Sequence, residues 1–362
     1  MSFNSLYLKR FISRLGIFSL LLLTGCNKAE NDAEVSFQPS KAPTMPVALK
    51  QESNPKCVGP FTTEPTTDLT INGIKYTQSG AILNQVKTDS DDEIIIGHLT
   101  DIKEGAPANI SNISLFLDWF AEKKVELIAI TGDLSESQDG IETILNAIGA
   151  KTKVPVLVII GNRECENHFN AALASVNKTY PNIINMDKIR VFNTDDVSIV
   201  SMPGYYNPSY LHCTKGCRYF DSDVDNLKTI AERAVHPTKL LISHGPPRME
   251  GTNGIDRIHD EANVGDPALA KFMKENPSLF PFGLFGNVQE AGGRATNLMG
   301  EPVAENKMVN QLYLNSGPAD AMRFSMLDGK ESLGMAGVLK IKSKHAKYEI
   351  KRIQAGEAKA PQ

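Results

Sequence analysis

Apolar runs and helical periodicities alternate in the middle of this 362-residue chain, and the alternation restricts the fold. Glu93–Leu99 and Leu127–Thr131 are short apolar runs typical of buried strands, and Asn109–Lys124 between them carries apolar residues at helical spacing. Ile141–Ile148 is helical in pattern again, and Val154–Ile160 is strand-like. Repeated units of this length predict an α/β domain whose first strands are largely parallel.

The rest of the main body adds strands rather than long helices. Asn72 and Gly73 lie between two short strand-like runs and predict a hairpin with an Asn-Gly turn. The later strands are close enough along the chain for antiparallel pairing. They are predicted at Ile189–Phe192, Val197–Met202, Leu240–Ser243, Phe282–Phe285, Leu312–Leu314 and Gly337–Ile350.

A polar segment follows each of five predicted strands. Such segments lie beyond the carboxyl ends of strands, where α/β proteins collect their functional groups. Each alone is ordinary, since an Asp before a helix is commonly an N-cap and Gly-Asp is commonly a turn. In chain order the segments are Thr100–Lys103, Thr131–Leu134, Gly161–Glu164, Ser243–Pro247 and Phe285–Gly293.

The ordered set resembles the calcineurin-like metallophosphoesterases, whose signature runs D-x-H, G-D, G-N-H, H and G-H-x-H. The resemblance covers about residues 90–320 and implies an α/β fold, a layered β-sandwich of mixed sheets flanked by helices. It also implies a site for two divalent cations, where a metal-bound hydroxide attacks phosphorus. His98 precedes the first motif on its strand, and we expect a structural role for it.

Four positions match the family's metal ligands. The resemblance implies that Asp101 is a ligand of the first metal and that Asp133 is the bridging carboxylate. It assigns Asn162 and His244 to the second metal. Carboxylate, amide and imidazole groups are suitable donors for such ions.

Four other positions depart from the signature. Lys103 stands at the histidine of D-x-H, Arg163 at the catalytic histidine of G-N-H, and Asn287 and Gln289 at both histidines of G-H-x-H. A protonated lysine has no lone pair to donate. At about 3 Å it would repel a divalent ion by roughly 10 kcal/mol at an effective dielectric of about 20. We therefore expect Lys103 to pair with Asp101 and Asp133 in place of a metal.

Two functions remain open on these residues. The first is a non-catalytic protein without a cofactor, whose old site is structural or binds an anion through Lys103, Arg163 and Arg294. The second is a phosphoesterase with one divalent ion, Mn²⁺, Zn²⁺ or Fe²⁺, held by Asp133, Asn162 and His244. A cluster of three tyrosines, Tyr205, Tyr206 and Tyr210, either lines a ligand cleft or packs onto the core.

The start of the chain predicts export. Three basic residues precede the apolar run Leu15–Leu23, which is too short to span a bilayer and is typical of a signal peptide. The run ends in Leu-Thr-Gly-Cys, which resembles the lipobox of bacterial lipoproteins and implies acylation of Cys26, with palmitate among the chains. This predicts a membrane-anchored protein of the bacterial cell envelope, sorted to the outer membrane. The alternative is an ordinary cleaved signal peptide.

Composition indicates where the chain divides into segments. We predict a signal peptide over 1–25, a lipidated cysteine and flexible tether over 26–55, the phosphoesterase-type domain over 56–355 and a disordered tail over 356–362. The leader carries three of the 38 basic residues and none of the 42 acidic ones, so the remainder has a net charge of about −7. Such a balance gives no reason to expect nucleic acid as a partner, and it identifies neither a protein partner nor a small anion.

Four further cysteines favour disulfides in an oxidising compartment. Four cysteines allow three pairings. Cys213 and Cys217 are close along the chain, which favours a local bridge and leaves Cys57 to pair with Cys165. A zinc site at the first two with His212 is the weaker alternative, because no second close pair accompanies them.

Overall fold

The computed structural model describes residues 58–86, 89, 91–260 and 262–354. The chain divides into two units, 1–50 and 51–362, and the described residues all lie in the second. The predicted signal peptide, Cys26, the tether, Cys57 and the predicted tail lie outside the described residues. Across the described ranges, no helix combines the length and the apolar composition that crossing a bilayer requires.

Strands dominate this unit. They are β1 (Thr66–Ile71), β2 (Ile74–Ser79), β3 (Ile82–Gln85), β4 (Glu93–Leu99), β5 (Leu127–Ile130), β6 (Val156–Val158), β7 (Ile183–Asn185), β8 (Val191–Asn193), β9 (Ser198–Met202), β10 (Lys239–Ser243), β11 (Phe282–Phe285), β12 (Arg294–Thr296), β13 (Leu312–Asn315), β14 (Phe324–Ser325), β15 (Glu331–Ser332), β16 (Met335–Lys342) and β17 (His345–Arg352). The α-helices are α1 (Pro107–Glu122), α2 (Gln138–Lys151), α3 (Glu166–Val176), α4 (Asp221–Asp225), α5 (Leu227–Ala231) and α6 (Pro267–Glu275).

The strands form two large mixed sheets and one short hairpin. One sheet has nine strands in the order β1-β2-β3-β8-β9-β10-β11-β13-β12, and the other has six in the order β17-β16-β4-β5-β6-β7. Strands β4 to β7 are parallel, and so are β9, β10, β11 and β13. The remaining pair, β14 and β15, forms the hairpin.

The sheets and helices pack against one another through three apolar clusters. One lies between the two sheets and includes Ile96, Phe192 and Ile242. A second joins α1, α2 and α3 to the outer face of the six-stranded sheet, and a third joins α4, α5 and α6 to the outer face of the other sheet. The predicted sandwich of mixed sheets flanked by helices is therefore confirmed, as is the early parallel run.

Of the local predictions, the Asn-Gly turn is confirmed and two predictions about the later strands were wrong. The predicted Asn-Gly turn joins β1 to β2, and both of its residues have positive φ angles, 49° and 85°. The later strands, however, are mostly parallel rather than antiparallel, because the segments between β9, β10 and β11 carry the chain back across the sheet through helices. The long strand predicted over residues 337–350 is the antiparallel hairpin of β16 and β17.

Candidate functional site

All five polar segments meet at one edge of the sandwich. Three follow β4, β5 and β6 of the smaller sheet, and two follow β10 and β11 of the larger one. Asp101, Asp133 and His244 are all buried, and each brings one ligand atom within 4.8 Å of the others. Residues far apart in the chain thus form one acidic and imidazole cluster.

The loops hold these residues in an uncommon backbone conformation. Asp101, Lys103, Asp133 and Asn287 have φ angles of 52°, 70°, 57° and 62°. Asp and Asn tolerate the left-handed region because their short polar side chains bond locally, whereas lysine does so less readily. The backbone at position 103 therefore has a conformation that its own side chain does not favour.

Two glycines allow the loops to approach. A Cβ on Gly161 would lie 2.3 Å from Oδ1 of Asp133, and a Cβ on Gly286 would lie 2.7 Å from Oδ2 of Asp101. Neither contact is possible for a real side chain. The Gly of G-N and the Gly before Asn287 are thus required for close packing around the two carboxylates.

His244 and Asn162 bond to each other. Nε2 of His244 lies 2.7 Å from Oδ1 of Asn162 and 3.3 Å from Oδ1 of Asp133. Nδ1 of His244 lies 2.7 Å from the carbonyl oxygen of Thr131. The amide of Asn162 donates to the carbonyl of Tyr210 at 2.7 Å, so its oxygen faces the imidazole. Because oxygen acceptors face both ring nitrogens, His244 donates from both and is an imidazolium.

The charges of the cluster agree with that assignment. Burial alone would lower the pKa of His244, but Asp133, Asp101 and Glu164 raise it to about 10. Burial opposes ionisation of Asp133, yet the charge and hydrogen bond of His244 keep its pKa below the usual value. Burial raises the pKa of Asp101, with Asp133 adding to the effect.

Asp101 is bonded on both oxygens. Oδ2 accepts from Oγ1 of Thr100 at 2.8 Å and from the backbone N–H of Asn287 at 2.9 Å. Oδ1 accepts from Nε2 of Gln289 at 3.4 Å. Gln289 in turn accepts from Nζ of Lys103 at 2.9 Å. Two of the substituted positions therefore form a hydrogen-bonded chain that ends on the first predicted metal ligand.

Lys103 does not pair with the residues we predicted. Its ammonium forms an ion pair with Asp320 at 3.2 Å and lies 4.1 Å from the centroid of the Phe324 ring, and within the described ranges no ion pair joins it to Asp101 or Asp133. The backbone amide of Lys103 donates to the carbonyl of Asp133, and the side chain reaches across to the segment after β13. Asp320, which sequence reasoning missed, therefore takes the ion pair that was expected of the two site aspartates.

The three cations proposed for an anion site each contact a different oxygen acceptor. Arg163 pairs with Glu136 at 2.8 Å, and Glu136 also contacts Nδ1 of His212 at 3.0 Å. Arg294 donates to the carbonyl of Thr252 at 2.9 Å. Each cation thus has an acceptor within the protein, and an anion site formed by the three stays a prediction.

The tyrosine cluster forms a wall beside the site. The ring of Tyr205 lies 6.0 Å from the His244 ring and 5.0 Å from the Tyr206 ring. Its hydroxyl accepts from Nδ2 of Asn287 at 2.9 Å. Tyr210 contacts Tyr205 edge-on and is 57% exposed. The cluster therefore packs beside His244, and Asn287 bonds to Tyr205.

Glu164 is a second residue that sequence reasoning missed. Its buried carboxylate accepts from the backbone N–H groups of Leu134 and Gly161, which joins the second and third site loops. Burial and the nearby Asp133 raise its pKa to about 8. The only signal in the sequence was its place directly after Arg163.

His98 has the structural role that we expected. It is fully buried, and its ring nitrogens contact the hydroxyls of Ser316 at 2.6 Å and Thr131 at 2.8 Å. Burial lowers its pKa to about 3. His98 is thus neutral and fixes the strand that leads into the first site loop.

The predicted disulfide pairing was wrong. Cys165 bonds to Cys213, with 5.4 Å between their Cα atoms, so neither a bridge between Cys213 and Cys217 nor one between Cys57 and Cys165 forms. The segments that carry the two cysteines lie side by side, and the backbone N–H of Glu166 donates to the carbonyl of Lys215. Cys217 is also disulfide-bonded. A zinc site at these cysteines is excluded by the same bridge.

The donor set does not fit two metals. The first-metal position has an amide and an ammonium where the family has histidines, and the ammonium lies within hydrogen-bond distance of that amide. A single ion is compatible with the donor types of Asp101, Asp133 and His244, which are close enough to share one. It would have to displace the proton that His244 donates to Asn162.

Two helix-flanked mixed sheets, with acidic, amide and imidazole groups gathered at strand ends, define a phosphoesterase-type fold. The chain belongs to the calcineurin-like phosphoesterase family, whose sequence profile matches residues 94–278. None of the curated proteins is significantly similar to it in sequence.

Solved structures share the fold at low identity. One has a TM-score of 0.50 at 11% identity and covers 72% of this chain and 99% of its own. The protein TT1561 of Thermus thermophilus has a TM-score of 0.48 at 12% identity, with 72% and 98% covered. A dimetal phosphatase from Danio rerio has a TM-score of 0.42 at 11% identity, with 72% and 98% covered. At such identities the likeness concerns the fold alone.

Proposed function

We propose that this protein is a lipid-anchored, non-catalytic member of its family, whose former metal site now stabilises the fold. The observation that carries the proposal is the chain of contacts from Asp320 through Lys103 and Gln289 to Asp101. Side chains of the protein itself thus bond to Asp101 and to one another at the position that the resemblance assigns to the first metal.

The chemistry of hydrolysis needs groups that this site lacks. Catalysis in the family depends on two cations to activate water and to neutralise the phosphoryl oxygens. Arg163 stands where the family has its catalytic histidine, and a guanidinium group is a far weaker acid than an imidazolium for donating a proton to a leaving group. Its guanidinium pairs with Glu136 outside the cluster.

The alternative is a phosphoesterase that uses one metal. It is favoured by the proximity of Asp101, Asp133 and His244, whose ligand atoms lie within 4.8 Å of one another. Asn162 would supply an amide oxygen beside them. A single ion would polarise one phosphoryl oxygen, but Arg163 would leave the leaving group without its usual acid.

One experiment separates the two functions. The full chain is purified, its bound metals are measured by mass spectrometry, and hydrolysis of phosphomonoesters and phosphodiesters is assayed with added Mn²⁺. We expect no turnover above that of the Asp133→Ala variant. One equivalent of Mn²⁺ with turnover that Asp133→Ala and His244→Ala both abolish would establish the single-metal enzyme instead.

The lipid anchor has its own test. The segment Leu23–Cys26 supports acylation at the cysteine, which would hold the domain at the cell envelope through the tether. Labelling cells with a palmitate analogue should mark the wild-type protein and leave Cys26→Ser unmarked. Labelling of Cys26→Ser at the wild-type level would contradict the anchor.

A further inference from the structure

A second group of acidic residues lies at the other end of β4. Asp91 precedes this strand and Asp101 follows it, so the seven-residue strand separates the two regions by about 23 Å at ~3.3 Å per residue. Asp89, Asp91 and Asp196 each offer a carboxylate oxygen, and these oxygens lie within 4.8 Å of one another. The group therefore belongs to neither the candidate site nor its loops.

Two of the three aspartates, Asp89 and Asp196, line a cavity of about 430 Å³. Asp195 and Glu126 also line this cavity, and with Asp91 five carboxyl groups share one small region. Among the described residues, no lysine, arginine or histidine forms an ion pair with any of the five. By contrast, the carboxylates of the adjacent residues 92 and 93 pair with lysines of β16. The ammonium of Lys153, at the cavity wall, lies over the Tyr180 ring instead.

Asp196 provides a separate reason to expect a ligand. It is only 5% exposed, and within the described ranges its carboxylate has neither a hydrogen bond nor an ion pair. Buried charges are normally paired or bound to metals, because removing them from water without a partner is costly. The β8–β9 turn holds Asp196 in place, since Oγ1 of Thr194 accepts from the backbone N–H groups of Asp196 and Val197.

A hydrogen bond joins the two loops but does not neutralise the charges of their carboxylates. The backbone N–H of Asp89 donates to Oδ2 of Asp195 at 2.7 Å. Burial raises the pKa of Asp196 to about 7, with Asp195, Asp89 and Asp91 adding to the effect. Burial also raises the pKa of Glu126, to which Asp89 and Asp91 contribute. The carboxyl groups therefore repel one another where they stand.

We propose that Asp89, Asp91 and Asp196 bind a calcium ion that links the two sheets. The first two lie in the connection from β3 to β4, and the third lies in the β8–β9 turn, so the ion would join the nine-stranded sheet to the six-stranded one. Calcium suits the group because it accepts an all-oxygen, flexible ligand set completed by water. Magnesium requires a stricter octahedral arrangement than two separate loops provide.

Calcium titration of the full chain, after removal of metals with EDTA, tests this site. We expect one equivalent to bind with a Kd on the order of 1 mM or below, as in extracellular calcium modules. At about 10 mM calcium the Tm should rise by about 2–4 °C. The absence of binding, or an equal Tm rise with magnesium at the same concentration, would overturn the proposal.

Single substitutions test where the calcium ion binds. Asp196→Asn should lose the calcium-dependent rise in Tm, and without calcium it should be at least as stable as the wild type because a repulsive charge is removed. Asp91→Asn serves the same purpose if the first variant does not fold. Asp92→Asn is the matched control and should keep the full rise, since Asp92 bonds to Ser343 outside the group. Asp133→Ala should also keep it, and a loss there would assign the ion to the candidate site and overturn the proposal.

Discussion

Nε2 of His244 lies 2.7 Å from the amide oxygen of Asn162, and the resemblance to the family assigned both residues to the second metal. The two predicted ligands are therefore hydrogen-bonded to each other. The imidazolium also contacts Asp133 at 3.3 Å and supplies positive charge beside that carboxylate. Together with Lys103, it places two cations where the resemblance predicts metal ions.

Restoring the histidines should restore metal binding. The combined variant Lys103→His, Arg163→His, Asn287→His and Gln289→His regains the family's ligand set on loops whose backbone is already in place. We expect it to bind two equivalents of Mn²⁺ or Zn²⁺ by mass spectrometry, where the wild type binds fewer. A folded variant that binds neither ion would show that the residues were assigned to the wrong positions.

Removing the charge of Lys103 should destabilise the fold. Lys103→Met leaves Asp320, which is 2% exposed, as a buried carboxylate without its ion pair. We expect the free energy of unfolding to fall by about 2–4 kcal/mol in urea denaturation, and Asp320→Asn in the same chain should recover part of the loss.

The control for that cycle is an exposed pair. Arg323 and Glu331 are paired at 2.9 Å but are 59% and 50% exposed. Arg323→Met should cost less than about 1 kcal/mol. A loss at position 103 no larger than this control would mean that the Lys103 pair contributes little to stability.

The disulfide should be detectable and stabilising. A non-reducing digest is expected to yield a peptide that links Cys165 to Cys213, which are 48 residues apart. Replacing both by serine should lower the free energy of unfolding by about 2–4 kcal/mol, because a loop of this length loses much chain entropy when it is closed. A peptide that links Cys213 to Cys217 would contradict the structure.

Asp187 should make the free energy of unfolding of the protein depend on pH. Burial raises its pKa to about 7 in the fold, against the usual 3.8. Between these values the folded state holds a proton that the unfolded state has released, so stability falls as pH rises from about 4 to 7. Asp187→Asn removes this effect. Its stability relative to the wild type should therefore increase by roughly 2–4 kcal/mol between pH 4 and pH 8.

Denaturation of both proteins at several pH values measures that difference. Asp68→Asn is the matched control, because it makes the same substitution at an exposed position on β1. A constant difference between Asp187→Asn and the wild type across the series would contradict a raised pKa at Asp187.

Much of the site could be predicted from the sequence, because its residues directly follow strands. Parallel strands of one sheet end at a common edge, so the order of strand and polar loop accounts for Asp101 and Asp133, which follow the neighbouring strands β4 and β5. His244 follows β10 of the other sheet, and only the resemblance to the family placed it in the same site. The helices α1 and α2 were likewise predicted close to their observed bounds, since their apolar residues recur at helical spacing. The short helices and β12 carry too few residues for such a pattern.

The sequence by itself determined the family, the order of the site loops and the four positions at which this chain departs from the family's signature. Only the tertiary structure decided which partner each substituted residue takes. Lys103 binds Asp320, which is far away along the chain, and Cys165 binds Cys213 rather than its predicted partner. The physical reason is that ion pairs and disulfides depend on which loops meet in space and on how their backbones turn. Spacing along the chain does not specify either.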